Sequence, residues 1–176
     1  MTYYEDRGRV RFNFTADLAV DGDIRQIFST KACSSTFQTP TWTLIMPQPR
    51  CVHRYIIYNR SDSKMDRLLR FSMQSFDSQN RSLFFYQDSS LVAKQIYTID
   101  HKPFPVSTVI IRSNHTDKTL TLCEVEVYGD SICDYQHYGR ECELKCNCFG
   151  NEPCFVSTGM CPTGCPAGYM GHACDT

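Results

Sequence analysis

Leu120-Thr121-Leu122-Cys123-Glu124-Val125-Glu126-Val127-Tyr128 is the stretch that decides the fold of this chain. Every second residue from Thr121 to Val127 falls on one side, and the residues between them, with Leu120 and Tyr128, fall on the other. Such alternation is typical of a β-strand with two different faces. We expect Cys123, Val125 and Val127 to face inward and Glu124 to face the opposite surface.

Four further β-rich runs precede this strand and are separated by polar turns. They span residues 41–46, 52–59, 68–76 and 106–112. Short strands with no helical pattern between them favour antiparallel sheets packed face to face. The sequence therefore predicts an all-β fold, a jelly-roll β-sandwich, over residues 16–130.

The size and charge of the chain limit its organisation and its partners. Its 176 residues suffice for one ordinary domain and a small one. The net charge is −1, from 18 Lys and Arg against 19 Asp and Glu, without a dense basic run. Nucleic acid and anionic membranes are therefore disfavoured as partners.

A second module is predicted at residues 131–176, where the composition changes after Asp130 to cysteine, glycine and proline. Eight of the eleven cysteines lie between Cys133 and Cys174, among few large aliphatic residues. A segment this poor in apolar residues needs cross-links or a metal to fold. The Cys-x2-Cys pairs and histidine pair of common zinc folds are missing, which favours disulfides and an oxidising compartment.

Four Asn-x-Ser/Thr triplets, at Asn13, Asn59, Asn80 and Asn114, agree with an extracellular glycoprotein. The first residues form no apolar leader, and the chain has no apolar run of about 18 residues, the length that a membrane span needs. We expect a secreted protein or one on the outer cell surface, with the signal peptide absent from this sequence.

The cysteine-rich tail resembles the laminin-type EGF-like repeats of multiple-EGF-domain and scavenger receptors. The likeness rests on residues 138–142, 159–161 and 165–174. It implies the pairs Cys133–Cys142, Cys146–Cys154, Cys148–Cys161 and Cys165–Cys174, whereas sequence alone leaves 105 pairings for eight cysteines. It also implies that the tail is a spacer more than a binding site. The other role of such a module is to bind protein partners.

The first module resembles the F-type lectins, or fucolectins, in three stretches: residues 19–23, 59–68 and 120–129. The family motif Arg-x-Asp-x4-Arg is matched by Arg60, Asp62 and Arg67. Each arginine is a planar charged fork that suits adjacent sugar hydroxyls, and Asp62 can hold one of them in place. The alternative is a pair of surface ion pairs with Asp62 and Asp66.

The likeness also implies a galactose-binding-like sandwich and further sugar contacts. Ser35 stands where the family has a histidine, and a serine is shorter and cannot become cationic. Phe28 is a candidate for apolar contact with a sugar methyl group. Residues 1–15 replace the usual first strand, so we expect an atypical or truncated N-terminal segment there.

A structural Ca2+ ion is the cofactor that the resemblance implies, held near Asp21, Asp23 and Glu124. An ordinary Asx turn at residues 21–23 is the alternative. The likeness also implies a disulfide between Cys33 and Cys123, which leaves Cys51 as the cysteine without a partner in the implied set of pairs. That residue is a buried free thiol, a partner of a cysteine outside this sequence, or a cross-link between chains.

These observations lead to two hypotheses for the function. In the first, the chain is an extracellular lectin-like module that binds fucosylated or galactose-configured glycans in cell recognition. In the second, it is a structural or protein-interaction module of an EGF-repeat receptor that has lost sugar binding. We do not expect an enzyme, because the five histidines lie in no hydrolase or metal motif.

Overall fold

Strands dominate the computed structural model, which describes the backbone of residues 3–7 and 10–176 and the side chains from Phe14 onward. The strands are β1 (Tyr3–Arg7), β2 (Val10–Phe14), β3 (Ser34–Phe37), β4 (Thr41–Tyr58), β5 (Ser72–Phe76), β6 (Ser82–Gln87), β7 (Ile96–Arg112), β8 (Thr119–Leu122), β9 (Glu124–Ser131), β10 (His137–Tyr138) and β11 (Leu144–Lys145). Short 3-10 helices lie at Ala16–Ala19, Phe28–Thr30, Met65–Leu68 and Phe149–Asn151. Within the described part of the chain, no helix is long and apolar enough to cross a membrane.

Five strands form one antiparallel sheet in the order β6-β5-β7-β4-β9, and β3 pairs with β8 in a second, smaller sheet. Residues from both sheets share one hydrophobic core. Tyr55, Ile57 and Met73 come from the large sheet, and Leu120 and Leu122 come from β8. The predicted all-β sandwich is therefore confirmed.

The long strand β4 carries the irregularity that proline imposes. The sequence predicts two strands here, but one strand runs from Thr41 to Tyr58. Its pairing with β7 jumps between Ile45 and Arg50, across Pro47 and Pro49. Proline has no backbone N–H for the ladder, so it is tolerated in a sheet at such a bulge.

The stretch Leu120–Tyr128 is two strands, which corrects the prediction of one continuous strand. The chain leaves β8 at Leu122 and enters β9 at Glu124, so that it passes from one sheet to the other at Cys123. Glu124 is only 5% exposed, so whichever side of the strand it faces is covered at this position. Alternation predicts the direction of successive side chains but not this burial, which arises because both faces are covered where the strand changes sheets.

Five disulfides join the pairs that the resemblances imply. Cys33–Cys123 closes the sandwich, and Cys133–Cys142, Cys146–Cys154, Cys148–Cys161 and Cys165–Cys174 lie in the tail. Cys51, on β4 opposite Asp130, is the one free cysteine among the described residues, which include all eleven. It is half-buried, and burial raises the pKa of its thiol.

The cysteine-rich tail begins where β9 ends, and Arg50 of β4 connects the two parts. Its Nη1 donates to the carbonyl oxygen of Arg140 over 2.9 Å and to the hydroxyl of Ser131, and its Nη2 lies 3.5 Å from Oε1 of Glu141.

Gly129 lies where β9 comes close to β4. A Cβ at Gly129 would lie 2.7 Å from the backbone oxygen of Cys51. The close approach of β9 to β4 therefore requires glycine at this position.

Candidate functional site

Arg60 lies directly after β4, in the loop that follows Asn59, and Asp62 holds its guanidinium. Its Nε donates to Oδ1 of Asp62 over 2.7 Å, and its Nη2 donates to Oδ2 over 2.9 Å and to the hydroxyl of Ser63 over 3.0 Å. Partial burial alone would raise the pKa of Asp62, but the hydrogen bonds from Arg60 and from the backbone of Ser63 outweigh it, and the pKa is lowered. The pair is charged at neutral pH.

Phe28 covers one face of the same guanidinium. The Cζ atom of Arg60 lies 4.4 Å from the centre of the Phe28 ring, and the ring of Phe14 stacks on Phe28 at 4.2 Å. The Arg60 side chain is 6% exposed as a result. Among the described residues nothing accepts a hydrogen bond from its Nη1, so this nitrogen is the part of Arg60 left for a ligand.

Arg67, the second arginine of the motif, lies in the 3-10 helix Met65–Leu68 and is more accessible than Arg60. Its side chain is 20% exposed, and its Nε donates to Oδ2 of Asp117 over 2.8 Å. Neither terminal nitrogen has a partner among residues 14–176. Asp117 therefore fixes the guanidinium and leaves its outer fork available.

His115 and Asp117 are site residues that the sequence analysis missed. The Nδ1 atom of His115 lies 2.8 Å from Oδ1 of Asp117, and its Nε2 lies 3.1 Å from Oδ2 of Asp66. The result is a connected row from Arg67 through Asp117 and His115 to Asp66. No motif marks it, because the turn between β7 and β8 meets the Arg67 helix only in the folded chain.

Asp117 has a lowered pKa. Its partial burial would raise the value, but hydrogen bonds from His115 and Arg67 and the charge of Arg67 act in the other direction and prevail. Asp66, by contrast, is the more exposed of the two carboxylates, with a side chain that is 55% accessible against 33% for Asp117. Asp117 is thus a positioning group, and Asp66 remains open to solvent.

Ser35 does not reach the surface on which Arg67 lies. It sits on β3 opposite Thr121 and is 1% exposed. Its hydroxyl is buried and has no hydrogen-bond partner among the described residues, and the same is true of Thr121. The structure therefore buries the predicted sugar contact at Ser35, because both faces of β3 are covered at this point.

The residues predicted to hold calcium are brought together only in part. The backbone N–H of Asp23 donates to Oδ1 of Asp21 over 2.9 Å, which is the Asx turn of the alternative interpretation. The carboxylate of Asp23 is paired with Arg25 at 2.5 Å, and hydrogen bonds from that arginine lower its pKa. Asp23 therefore faces Arg25 instead of the other two carboxylates.

Glu124 lies against the backbone of Asp21 and Gly22 and has a raised pKa. Burial is the main cause, and the negative charge of Asp21 adds to it, while N–H groups of Gly22 and Asp21 oppose it. Its Oε2 is buried without a hydrogen-bond partner. A buried carboxylate oxygen with a free lone pair, beside a second carboxylate, fits a hard cation such as calcium.

Asn59 positions the loop that carries the arginines. It is fully buried, and its Nδ2 donates to the carbonyl oxygens of Met65 and Lys94 over 2.9 and 3.0 Å. The side chain thus ties the 59–65 loop to the segment before β7. A glycan on this nitrogen would replace one of its two hydrogens and so break one of these bonds, and the fully buried side chain leaves no room for the sugar.

Solved structures share this fold. A fucose-binding module of Streptococcus pneumoniae, SpX-3, is 26% identical, with a TM-score of 0.63 over 74% of this chain and 94% of that one. The F-lectin from striped bass (Morone saxatilis) serum is 25% identical, with a TM-score of 0.59 over 74% of this chain and 46% of that one. The lectin domain of lectinolysin, solved with the Lewis B antigen, is 21% identical, with a TM-score of 0.61 over 66% and 85%.

Other kinds of comparison add no relative. No protein-family model matches the chain, and no curated protein does.

A further solved structure, a family 32 carbohydrate-binding module from Clostridium perfringens, shares the architecture at 16% identity and a TM-score of 0.52, over 72% of this chain and 93% of that one. The chain therefore has the galactose-binding-like β-sandwich fold, which it shares with solved fucose-binding and other carbohydrate-binding modules.

Proposed function

We propose that this chain is an extracellular carbohydrate-binding protein that recognises fucosylated or galactose-configured glycans through Arg60 and Arg67. One observation carries the proposal. The outer fork of Arg67 has no partner among the described residues while Asp117 fixes its inner nitrogen. This arrangement occurs in a fold that the chain shares, at 25–26% identity, with structures named as a fucose-binding module and an F-lectin.

The chemistry of the site suits a neutral polyhydroxyl ligand. Nη1 of Arg60 and both terminal nitrogens of Arg67 can donate to ring and hydroxyl oxygens of a sugar. Asp62 and Asp117 balance the charges of the two arginines, so we do not expect the site to bind anions in general. Phe28, whose ring faces are taken by Arg60 and Phe14, offers its ring edge as the apolar surface for the sugar.

Calcium would act on the shape of the site and not on the sugar. Asp21 and Glu124 are the residues that would hold the ion, and Asp23 would join them after release from Arg25. A bound cation supplies positive charge to the buried Glu124 carboxylate. With that charge balanced, the loop of residues 20–28, which carries Phe28, would be fixed in one arrangement.

The tail fits an EGF-like module that holds the sandwich away from the rest of a larger protein or a surface. Its four disulfides link residues only 8 to 13 positions apart, which suits an oxidising extracellular compartment. The exposed triplet at Asn80 is the candidate glycan acceptor of such a protein. The tail would serve mainly as a spacer.

A second candidate function is a protein-interaction module that has kept the fold without binding sugars. The burial of Ser35 at the family histidine position favours it, together with the small exposed fraction of Arg60. In that case Arg67 and Asp117 would be an ordinary partly exposed ion pair.

A glycan array with calcium distinguishes the two functions. Wild-type protein, Arg67→Ala and the control Arg54→Ala would be compared, since Arg54 pairs with Asp100 and is not part of the described site. We expect the wild type and Arg54→Ala to bind fucosylated or galactose-configured glycans, and Arg67→Ala to lose at least tenfold in affinity. No glycan signal from folded wild-type protein would overturn the carbohydrate function and favour the interaction module.

A further inference from the structure

A cleft of about 590 Å³ lies beside the Arg67 helix. Its lining residues come from the helix, from β6 and from the turn after β7: Asp66, Leu69, Arg70, Gln87, Asn114, His115 and Thr116. Its volume falls in the range of about 300–1,000 Å³ that small-ligand sites occupy. Neither Arg60 nor Arg67 lines it, so it is separate from the arginine site.

The cleft holds hydrogen-bonding groups that the fold leaves unused. Arg70 is exposed, and its guanidinium has no ion-pair or hydrogen-bond partner among residues 14–176. The amide nitrogens of Gln87 and Asn114 donate to the backbone oxygen of Arg70 over 2.8 and 3.1 Å, which leaves their amide oxygens as acceptors. Within residues 14–176, the carboxylate of Asp66 meets only His115.

This mixture of groups selects a class of ligand. The cleft is lined by one arginine and one aspartate, and its histidine, His115, is already bonded to that aspartate, so the cleft has no cluster of free cationic groups for a phosphate or a sulfate. Donors and acceptors lie side by side, with Leu69 as an apolar element, and this combination suits the hydroxyl groups and the less polar face of a sugar ring. A neutral, polyhydroxylated ligand fits these groups.

The cleft and the arginine site share one wall. Asp66 and Arg67 are neighbours in the 3-10 helix, and Asp66 connects through His115 and Asp117 back to Arg67. A ligand that occupied both places would contact the two sides of this row. A single sugar held at Arg67 would leave the cleft empty.

We propose that this cleft is a second carbohydrate subsite, which binds the sugar next to the one held by Arg60 and Arg67, so that the chain recognises an oligosaccharide. The inference rests on the proposed function and extends it. Arg70 donates to the second sugar, and Asp66 and the oxygens of Gln87 and Asn114 accept from its hydroxyl groups.

Isothermal titration calorimetry with two ligand sizes tests this subsite. The probes are free L-fucose and the fucosylated oligosaccharide Lewis b, with calcium present and with protein made without N-glycans, because Asn114 lines the cleft. The variants are Arg70→Ala and the control Arg54→Ala, since Arg54 is an exposed arginine that lines neither place. Thermal unfolding verifies that each variant is folded.

We expect the wild type to bind the oligosaccharide at least tenfold tighter than L-fucose. Arg70→Ala should lose about tenfold for the oligosaccharide and nothing for L-fucose, since it removes one charged donor. Equal affinity of the wild type for both probes, or an unchanged Arg70→Ala, would overturn the subsite and leave the proposed function standing. Binding of neither probe by folded wild-type protein would overturn both.

Discussion

In each arginine of the site, the paired carboxylate accepts hydrogen bonds from some guanidinium nitrogens, and the other nitrogens remain as possible donors to a ligand. Asp62 occupies Nε and Nη2 of Arg60, while Asp117 occupies Nε alone of Arg67. Arg67 is also the more exposed of the two side chains. If the chain binds a glycan as proposed, we therefore expect Arg67 to offer more donors to the ligand than Arg60.

Asp117→Asn should weaken glycan binding about three- to tenfold, because an amide holds Arg67 less firmly than a carboxylate does. The pKa of Asp117 is lowered from 3.8, so its contribution is present above that value and is lost as the pH falls through the lower, folded pKa. Wild-type binding should thus keep the contribution of this pair from pH 7 down to the ordinary carboxyl value of 3.8. Titrations at several pH values measure it, and an unaltered affinity in Asp117→Asn would contradict the positioning role.

Glu124→Gln should stabilise the chain in EDTA by about 1 kcal/mol, because it removes a buried charge whose Oε2 has no partner. The folded pKa of Glu124 lies above 4.5, so the stability linked to its proton is present below that pH and is lost as the pH rises through the folded pKa. Thermal unfolding with EDTA and with calcium provides the measurement. Calcium should raise the melting temperature of the wild type only, and an equal rise in Glu124→Gln would refute the proposed ion site.

Asn59 should carry no glycan in folded, secreted protein, although its triplet matches the acceptor pattern. Its Nδ2 is buried and used twice, whereas Asn80 and Asn114 are exposed. Peptide mapping by mass spectrometry reports the occupancy of each triplet. High occupancy at Asn59 in folded protein would be incompatible with the loop described above.

At the scale of elements, the sequence predicts strands well where one face is buried and poorly where both are. The run at residues 106–112 lies in β7 as expected, but residues 120–128 break at Cys123, where the chain changes sheets. Strand β6 was not predicted, since its three successive aromatic residues, Phe84 to Tyr86, mask the alternation. The 3-10 helix at Met65–Leu68 replaces the start of a predicted strand.

The candidate site divides in the same way. Arg60, Asp62 and Arg67 are close together in the chain, so a local motif is sufficient to find them. Asp117 and His115 lie about 50 residues from Arg67 and Asp66 and meet them only through the β7–β8 turn. Burial of Ser35 likewise depends on what packs on both sides of β3, which a single sequence does not specify.

The disulfide between Cys33 and Cys123 fixes the start of β3 against the junction of β8 and β9. Both residues are fully buried, and 90 positions separate them. Replacing both with serine should cost about 4 kcal/mol, since the unfolded chain then regains a long open loop. Chemical denaturation measures the loss. A cost below about 1 kcal/mol would mean that packing alone holds this junction.

At the scale of the whole molecule, Arg50 is the main polar link from the sandwich to the tail. Its guanidinium contacts Ser131, the backbone of Arg140 and the carboxylate of Glu141. Arg50→Ala should leave both parts folded and loosen their connection. Limited proteolysis near residues 131–135 should become several times faster than in the wild type, and an unchanged rate would contradict the link.

The disulfides of the tail also determine how it responds to mechanical force. Three covalently closed stretches, 133–142, 146–161 and 165–174, follow one another, and the middle one contains two interleaved bonds. A pulled chain lengthens by about 3.3–3.6 Å for each residue that is free to extend. Here only the short pieces from Cys142 to Cys146 and from Cys161 to Cys165 are free. Under tension such a tail is therefore nearly inextensible, because its closed stretches cannot lengthen while the disulfides are intact.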